Sequence, residues 1–301
     1  MSQTKANGML AIVTVFWGAS YLFMKMGLSS LPPFYFIALR FLLAFLLAGA
    51  IFHQRLWRVD RRTIQHAFLL GTLLFLVFAF VMIGVQSTTT SHAGFLVSLT
   101  VIFVPLFSAL FFKQKLSRQV VIGVVLTTVG IALLTLKGGG TIRQGDLLCI
   151  LAAVCYAMHI VVTGQLTQRS DSVALGILQL GACGIISLVI SLWLESPTLP
   201  TPSAWVAIFA LGILCSAIGF VVQTVAQKYT TAAHAGLIFS LEPVFAALFG
   251  YMFLGEVLPL KGYIGAALVL TGILYAEMPR KKIPSWTEEG FQSTERTIST
   301  K

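Results

Sequence analysis

The chain has 301 residues, 57% of them hydrophobic and only 10% charged, with a mean hydropathy of +0.91. A soluble domain carries about 25% charged residues to hydrate its surface, so this composition excludes an ordinary water-soluble globule and points to lipid as the main solvent. The net charge of +10 would suit nucleic acid, but most Lys and Arg residues sit in short segments between apolar runs, where membrane orientation accounts for them.

A bilayer core about 30 Å thick needs about 20 helical residues, and apolar runs of that size recur from end to end. The first, over 8–28, is too long for a signal h-region and lacks a clean small-x-small cleavage site, so it reads as a retained helix. Leu31-Pro32-Pro33 punctuates its end. Spans follow over 34–52 and 66–85, then over 92–112 and 119–136. Beyond Gly138-Gly139-Gly140 come 146–165, 173–194 and 204–222, the last two separated by Pro197-Thr198-Leu199-Pro200. The final pair, 233–253 and 260–278, precedes a polar tail over 279–301 that is predicted to be disordered and cytoplasmic. No loop has room for a folded domain. Cys149, Cys155, Cys183 and Cys215 fall inside apolar runs without CxxC spacing and read as buried thiols, not as metal ligands or disulfides. No cofactor is implied.

Orientation follows from Lys and Arg taken loop by loop. One side collects Lys5, then Arg55, Arg58, Arg61 and Arg62, then Lys113, Lys115 and Arg118, then Arg169, Lys228 and Arg280-Lys281-Lys282. The other holds only Lys25, Lys137, Arg143 and Lys261. Both termini are therefore expected in the cytoplasm, with the protein in the cytoplasmic (inner) membrane.

Two stretches align without gaps at an offset of 142 residues. Thr89-Thr90-Ser91-His92-Ala93-Gly94-Phe95-Leu96-Val97-Ser98-Leu99 reads against Thr231-Ala232-Ala233-His234-Ala235-Gly236-Leu237-Ile238-Phe239-Ser240-Leu241. The register continues through Phe103/Phe245, Phe107/Phe249, Phe111/Phe253, Leu116/Leu258, Gly123/Gly265 and Gly130/Gly272. The predicted fold is an all-α integral membrane protein: ten transmembrane helices as two five-helix repeats, 1–137 and 138–278. Five is odd, so the second copy must cross the membrane in the opposite sense. The charges agree, because Lys113, Lys115 and Arg118 become Gly255, Val257 and Leu260 in the second copy. Inverted repeats are the footprint of secondary transporters, whose mirror-related halves exchange inward- and outward-open shapes around a central site. The glycine pairs are expected to let helices approach closely. The Phe ladders read either as lipid-facing or packing stripes or as cavity lining.

With these residues in place the sequence resembles the drug/metabolite transporter superfamily, specifically its EamA-type ten-helix exporters, over about residues 8–278. The carriers are Phe16-Trp17-Gly18, Ala38-Leu39-Arg40-Phe41, and Ser240-Leu241-Glu242-Pro243-Val244-Phe245-Ala246-Ala247 running to Gly255-Glu256. The resemblance implies outward transport of a small molecule such as an amino acid, another metabolite or a toxic compound. The first repeat departs from the family's Glu-Pro element, carrying Thr100-Val101 there.

An ionisable group in the hydrocarbon costs roughly 2.5–3.5 kcal/mol on insertion scales, so it marks function more often than elsewhere. Glu242 falls about 15 Å into its helix, near the midplane. It reads as a proton-coupling or substrate-amine-binding carboxylate, or as a structural partner of Arg40. Arg40, about 10 Å deep, reads as a substrate-carboxylate ligand, a partner of Glu242, or a snorkelling cation. Trp17 and Tyr21 lie one turn apart. Tyr156 takes the place of Trp17 in the second repeat and shares a helix face with His159. These four are candidates for cavity walls, with His159 also a titrating imidazole; helix packing is the plainer reading of each.

There is no GxxxxGK[ST] for nucleotide, no HExxH, and no clustered Asp, so neither an ATP-driven pump nor a metal-dependent or prenyl-binding membrane enzyme is indicated. The expected partners are a small-molecule substrate, membrane lipid and protons as the coupling ion, with a homo-oligomer compatible with the sequence. A channel or an intramembrane enzyme is the alternative.

Overall fold

In the computed structural model, which describes residues 1–87, 90–113, 115–135, 144–255 and 257–278, the apolar runs form fourteen α-helices and one π-helical segment. In chain order these are α1 (Gln3–Leu28), α2 (Pro33–Ile51), the short α3 (His53–Leu56), α4 (Arg61–Ser87), α5 (Thr90–Ser98), α6 (Thr100–Phe112) and α7 (Arg118–Thr135). Then come α8 (Gln144–Leu166), α9 (Ser172–Leu194), α10 (Pro202–Ala210), the π-helix (Leu211–Ile218), α11 (Gly219–Gln227), α12 (Ala232–Phe239), α13 (Glu242–Leu254) and α14 (Leu260–Glu277). Among the described residues all regular structure is helical, as lipid demands of a chain that must satisfy its own backbone.

Among the described residues six helical stretches are long and apolar enough to cross a membrane: α2, α4, α8, α9, the continuous Pro202–Gln227 and Ala232–Phe253. Shorter apolar helices run over Leu96–Phe111, Arg118–Leu134 and Leu260–Ala276. Both α1 and α4 begin about a turn before their apolar runs, because polar first turns can be capped or hydrated. Ser2 accepts from the Lys5 N–H, Thr201 from Ala204 and Thr231 from His234.

The runs expected over 92–112 and 233–253 are each broken once. Pro243 has no N–H for the Phe239 carbonyl and its ring excludes that carbonyl sterically, so α12 stops at Phe239 and α13 starts at Glu242. In the earlier run the Thr100 hydroxyl donates to the Val97 carbonyl at 2.7 Å and lies 3.2 Å from the Ala153 carbonyl of α8. The linking residues have nearly the same backbone, with φ −59° and ψ −13° at Leu99 and φ −69° and ψ −19° at Leu241. Each broken run also ends on a left-handed residue, Lys113 at φ 51° and Gly255 at φ 66°.

Lipid tails are as apolar as the helices, so association relies on close packing of small residues. The α7–α14 contact is built that way. A Cβ on Gly123 would lie 2.7 Å from the Gly272 carbonyl oxygen, and one on Gly130 would lie 2.6 Å from that of Gly265. Gly123 meets Gly272 while Gly130 meets Gly265, so the two helices run antiparallel. The α2–α9 pair is antiparallel as well, Phe45 packing on Gly181 and Leu42 on Gly184. Charged groups clasp this pair at both ends. Glu195 accepts from the Phe34 and Tyr35 N–H groups at the start of α2, at 2.9 and 2.8 Å. At the other end Arg55 donates to Asp171 at 2.7 Å, and Asp171 also caps α9 through the Val173 and Ala174 N–H groups.

The Phe ladders run from core to surface: Phe103 stacks on Phe107, which tilts against Phe111, and Phe249 tilts against Phe253; Phe103 and Phe107 pack against the core, whereas Phe111 and Phe253 are exposed. Cys149, Cys183 and Cys215 are buried thiols and Cys155 is half-buried.

Candidate functional site

Where α13 begins, against α1, α2, α4, α8 and α11, lies a cavity of about 70 Å³. Its polar lining comes from Ser20, Arg40, Tyr156 and Glu242, and its apolar lining includes Trp17, Met24, Phe78, Val81 and Phe220.

Arg40 is 2% exposed, so a full guanidinium charge sits inside the bundle. Its Nε donates to the Ser216 hydroxyl at 2.7 Å. Its Cζ stands 5.1 Å from the Phe41 ring centroid and 4.8 Å from that of Phe78, within cation–π range of both. Nη1 has no hydrogen-bond partner. The group is thus fixed at Nε and flanked by two rings, with a donor left over beside the cavity. An oxygen acceptor entering there would find a charge-assisted donor in a low-dielectric site.

Glu242 is half-buried on the same cavity, in the first turn of α13, where the helix dipole favours a negative charge. Its carboxylate acts electrostatically on Arg40. The break that Pro243 imposes therefore delivers Glu242 to the interior at a helix start. Of the readings open for Arg40, the Nε bond goes to Ser216.

Trp17 forms one wall. Its indole N–H donates to the Cys215 carbonyl at 2.9 Å, and its ring lies 5.2 Å from both Phe220 and Phe239 and 6.3 Å from Tyr156. The π-helix leaves this carbonyl without its usual helical donor. In an α-helix the Gly219 N–H would take the Cys215 carbonyl; here it bonds to the Leu214 and Ser216 carbonyls instead. Gly219 has to be glycine for the indole to seat, since a Cβ there would fall 2.8 Å from the Trp17 nitrogen.

Tyr156 lines the cavity from α8. His159 is fully buried behind that wall, its Nε2 bonded to Gln179 at 2.8 Å, and does not line the cavity. The side chains of Tyr21, Lys25 and His92, and Glu256 with the tail over 279–301, lie outside the described residues. The sequence reading missed Ser216 and the Cys215 carbonyl. A small polar pair between Gly212 and Gly219, spaced i and i+7 in an apolar run, was the only signal available.

The family model described as the EamA-like transporter family matches the chain twice, over residues 4–136 and 143–277. An uncharacterized transporter of Archaeoglobus fulgidus is 29% identical over 269 residues, covering 89% of this chain and 84% of that protein. The uncharacterized transporter YvbV of Bacillus subtilis is 27% identical over 286 residues, covering 91% and 92%. A solved crystal structure at 21% identity superposes with a TM-score of 0.79 over 92% of this chain and 97% of its own, which shows a shared fold. With apolar helices of spanning length, a family match over nearly the whole chain and relatives that are transporters, the chain belongs to the EamA-like transporter family and is a multi-pass membrane transporter.

Proposed function

We propose that the chain is a secondary transporter carrying a small metabolite, amino acid or drug-like solute outward across the cytoplasmic membrane by alternating access. The observation that carries this reading is the convergence of Arg40 and Glu242 on one cavity at the break between α12 and α13. Broken helices and intramembrane charges mark solute sites in transporters. Arg40, with its spare Nη1 donor, suits a carboxylate; Glu242 suits an ammonium group or a coupling proton; Trp17, Phe78 and Phe220 suit an apolar side chain. A small zwitterion such as an amino acid satisfies all three, and about 70 Å³ limits what this conformation holds.

Ten spans in two inverted repeats, 1–137 and 138–278, fit the same reading. In support, the family model matches once in each half. The breaks at Leu99 and Leu241 and the left-handed residues Lys113 and Gly255 recur at the offset of 142 residues. That offset also exchanges the Gly123–Gly272 and Gly130–Gly265 contacts, as a two-fold axis between α7 and α14 requires. Loop charge favours both termini inside. In this reading lipid meets the exposed ends of the Phe ladders, Phe111 and Phe253, and a homo-oligomer is compatible with the fold.

The test is flux in proteoliposomes against a panel of amino acids, monocarboxylates and amines. Saturable movement of chemically unchanged zwitterions, lost in Arg40→Met, is expected, and overexpressing cells should accumulate less of the same solute. Non-saturating flux would indicate a channel, and altered solute an enzyme. Faster accumulation in cells would reverse the direction.

A further inference from the structure

Behind the aromatic wall of the cavity, a row of polar side chains runs between α8, α9 and α11. His159, Thr163, Gln179, Gln223 and Thr224 are 0% exposed and Gln227 is 1% exposed. Their hydrogen bonds form two short directed runs. The Thr224 hydroxyl donates to the Phe220 carbonyl at 2.7 Å, so it accepts from Gln179 Nε2 at 2.8 Å. Gln179 therefore turns Oε1 to His159, whose proton must sit on Nε2. Further along, Gln223 donates to Gln227 at 3.1 Å and Gln227 donates to the Ile160 carbonyl at 3.1 Å.

The row lies between two spaces. At one end His159 lies against Tyr156 and Phe220, both of which line the cavity. At the other end Gln168 donates to the Lys228 carbonyl at 2.8 Å, on the rim of a wide surface bowl that includes Arg58, Arg169 and Lys228. On α8 the stretch from Tyr156 to Leu166 covers about 15 Å, roughly half of a bilayer core.

The row is also not fully hydrogen-bonded. His159 Nδ1, Thr163 Oγ1 and Gln223 Oε1 are buried without a hydrogen-bond partner. Folded proteins leave few polar atoms in that condition, and in membranes polar side chains face partners or water-filled paths. We propose that this seam is the wall of a solute path from the central cavity to the Lys228 end of the bundle, closed and dry in this conformation and hydrated when it opens. The three orphaned atoms are the ones water would satisfy. Amides, hydroxyls and an imidazole make a wall for a polar solute of no net charge. The inference rests on the transporter reading of the cavity.

Thiols report the path. Thr163→Cys and Gln223→Cys place one in the seam from two different helices, in the full chain reconstituted in sealed vesicles. Leu175→Cys places one in the apolar contact with Ala67 and Leu70 as a control. A membrane-impermeant methanethiosulfonate reagent is added to one face or the other, with wild type as the blank for native cysteines. Both seam thiols should react at least tenfold faster from the face bearing Lys228, while Leu175→Cys stays at the blank. Either seam variant suffices if the other does not insert. Seam thiols that stay at the blank, or react equally from both faces, overturn the path. Saturable wild-type flux in the same vesicles with unreactive seam thiols would remove the path and leave the transporter reading in place.

Discussion

In Ser216→Ala the Arg40 guanidinium keeps its charge and loses the acceptor of a buried 2.7 Å bond. A hydrogen bond to a charged group contributes about 1.5–3 kcal/mol, and Nη1 already lacks a partner, so a loss of about 2 kcal/mol in stability is expected. Arg40→Met removes the charge itself. It forfeits the Ser216 bond and the cation–π contacts with Phe41 and Phe78, the latter about 2 kcal/mol when desolvated. Against this it removes the burial penalty of the ion, several kcal/mol even after relaxation, and puts a polarizable thioether against the same two rings. Arg40→Met should therefore melt at or above wild type and clearly above Ser216→Ala. If Arg40 is retained for a solute, the same variant should carry no flux. The assay is thermal unfolding by intrinsic tryptophan fluorescence, with flux measured on the same preparations. An Arg40→Met protein melting well below Ser216→Ala would make Arg40 a structural support. Normal flux in a folded Arg40→Met protein would remove it from the site.

Glu242→Gln should insert and fold yet lose the pH dependence of flux; an unchanged pH profile in a well-folded variant would end the coupling role. Gly130→Ala should lose about 1–3 kcal/mol through backbone overlap with Gly265. The same change at Gly8, which has open space around it, should be neutral or gain up to about 1 kcal/mol from helix propensity. Equal melting shifts at the two positions would contradict the close α7–α14 contact. At Asp171 burial alone would raise the carboxyl, but the Ala174 N–H and Arg55 outweigh it and hold the group below its ordinary value. A lowered folded-state value adds stability above the unfolded value, near 3.9, and that stability is lost as the pH falls through the folded value. Arg55→Ala should thus cost about 0.2–1 kcal/mol at pH 7, a gap in melting temperature that closes below about pH 4; a gap of undiminished size in acid would refute the clasp. Reporters fused near Arg58, Arg118 and Arg280 should score cytoplasmic and those near Thr89, Gly139 and Pro200 external, and a cytoplasmic score at Gly139 would break the inverted arrangement.

The helical class was legible in run length alone, because a chain in lipid has few other ways to satisfy its backbone. The irregular points were legible only where their cause is local. Pro243 announces the stop of α12 at Phe239, since both the missing donor and the ring clash act within one turn. The matching break at Leu99 has no proline beside it; Thr100 bonds a carbonyl of α8 from 53 residues away, and no window of sequence contains that pair. Arg40 was visible as an ion in an apolar run, and its depth followed from position. Its partner was not, because Ser216 lies 176 residues on. Tyr156 and His159 share a helix and were expected on one face, and their rings do stack, 6.2 Å apart. Only Tyr156 lines the cavity; His159 is drawn to Gln179 on the neighbouring helix, one side chain behind.

The π-helix was the least legible element and explains most about the site. Leu211–Ile218 has the composition of an ordinary buried helix, and a regular one would keep the Cys215 carbonyl for Gly219 along its own axis. Giving that bond up leaves the carbonyl to Trp17. The same wide turn carries Ser216 to Arg40. At α13 the logic repeats, since Glu242 stands in a first helical turn inside the bundle only because the preceding helix has stopped. Both departures cost backbone regularity; the π-helix holds Trp17 and Arg40 of the cavity wall from behind, and the start of α13 opens on the cavity itself. The departures thus place an acceptor for the indole, an acceptor for the guanidinium and a carboxylate around one small space. A bundle stabilised by packing alone would have no use for that arrangement.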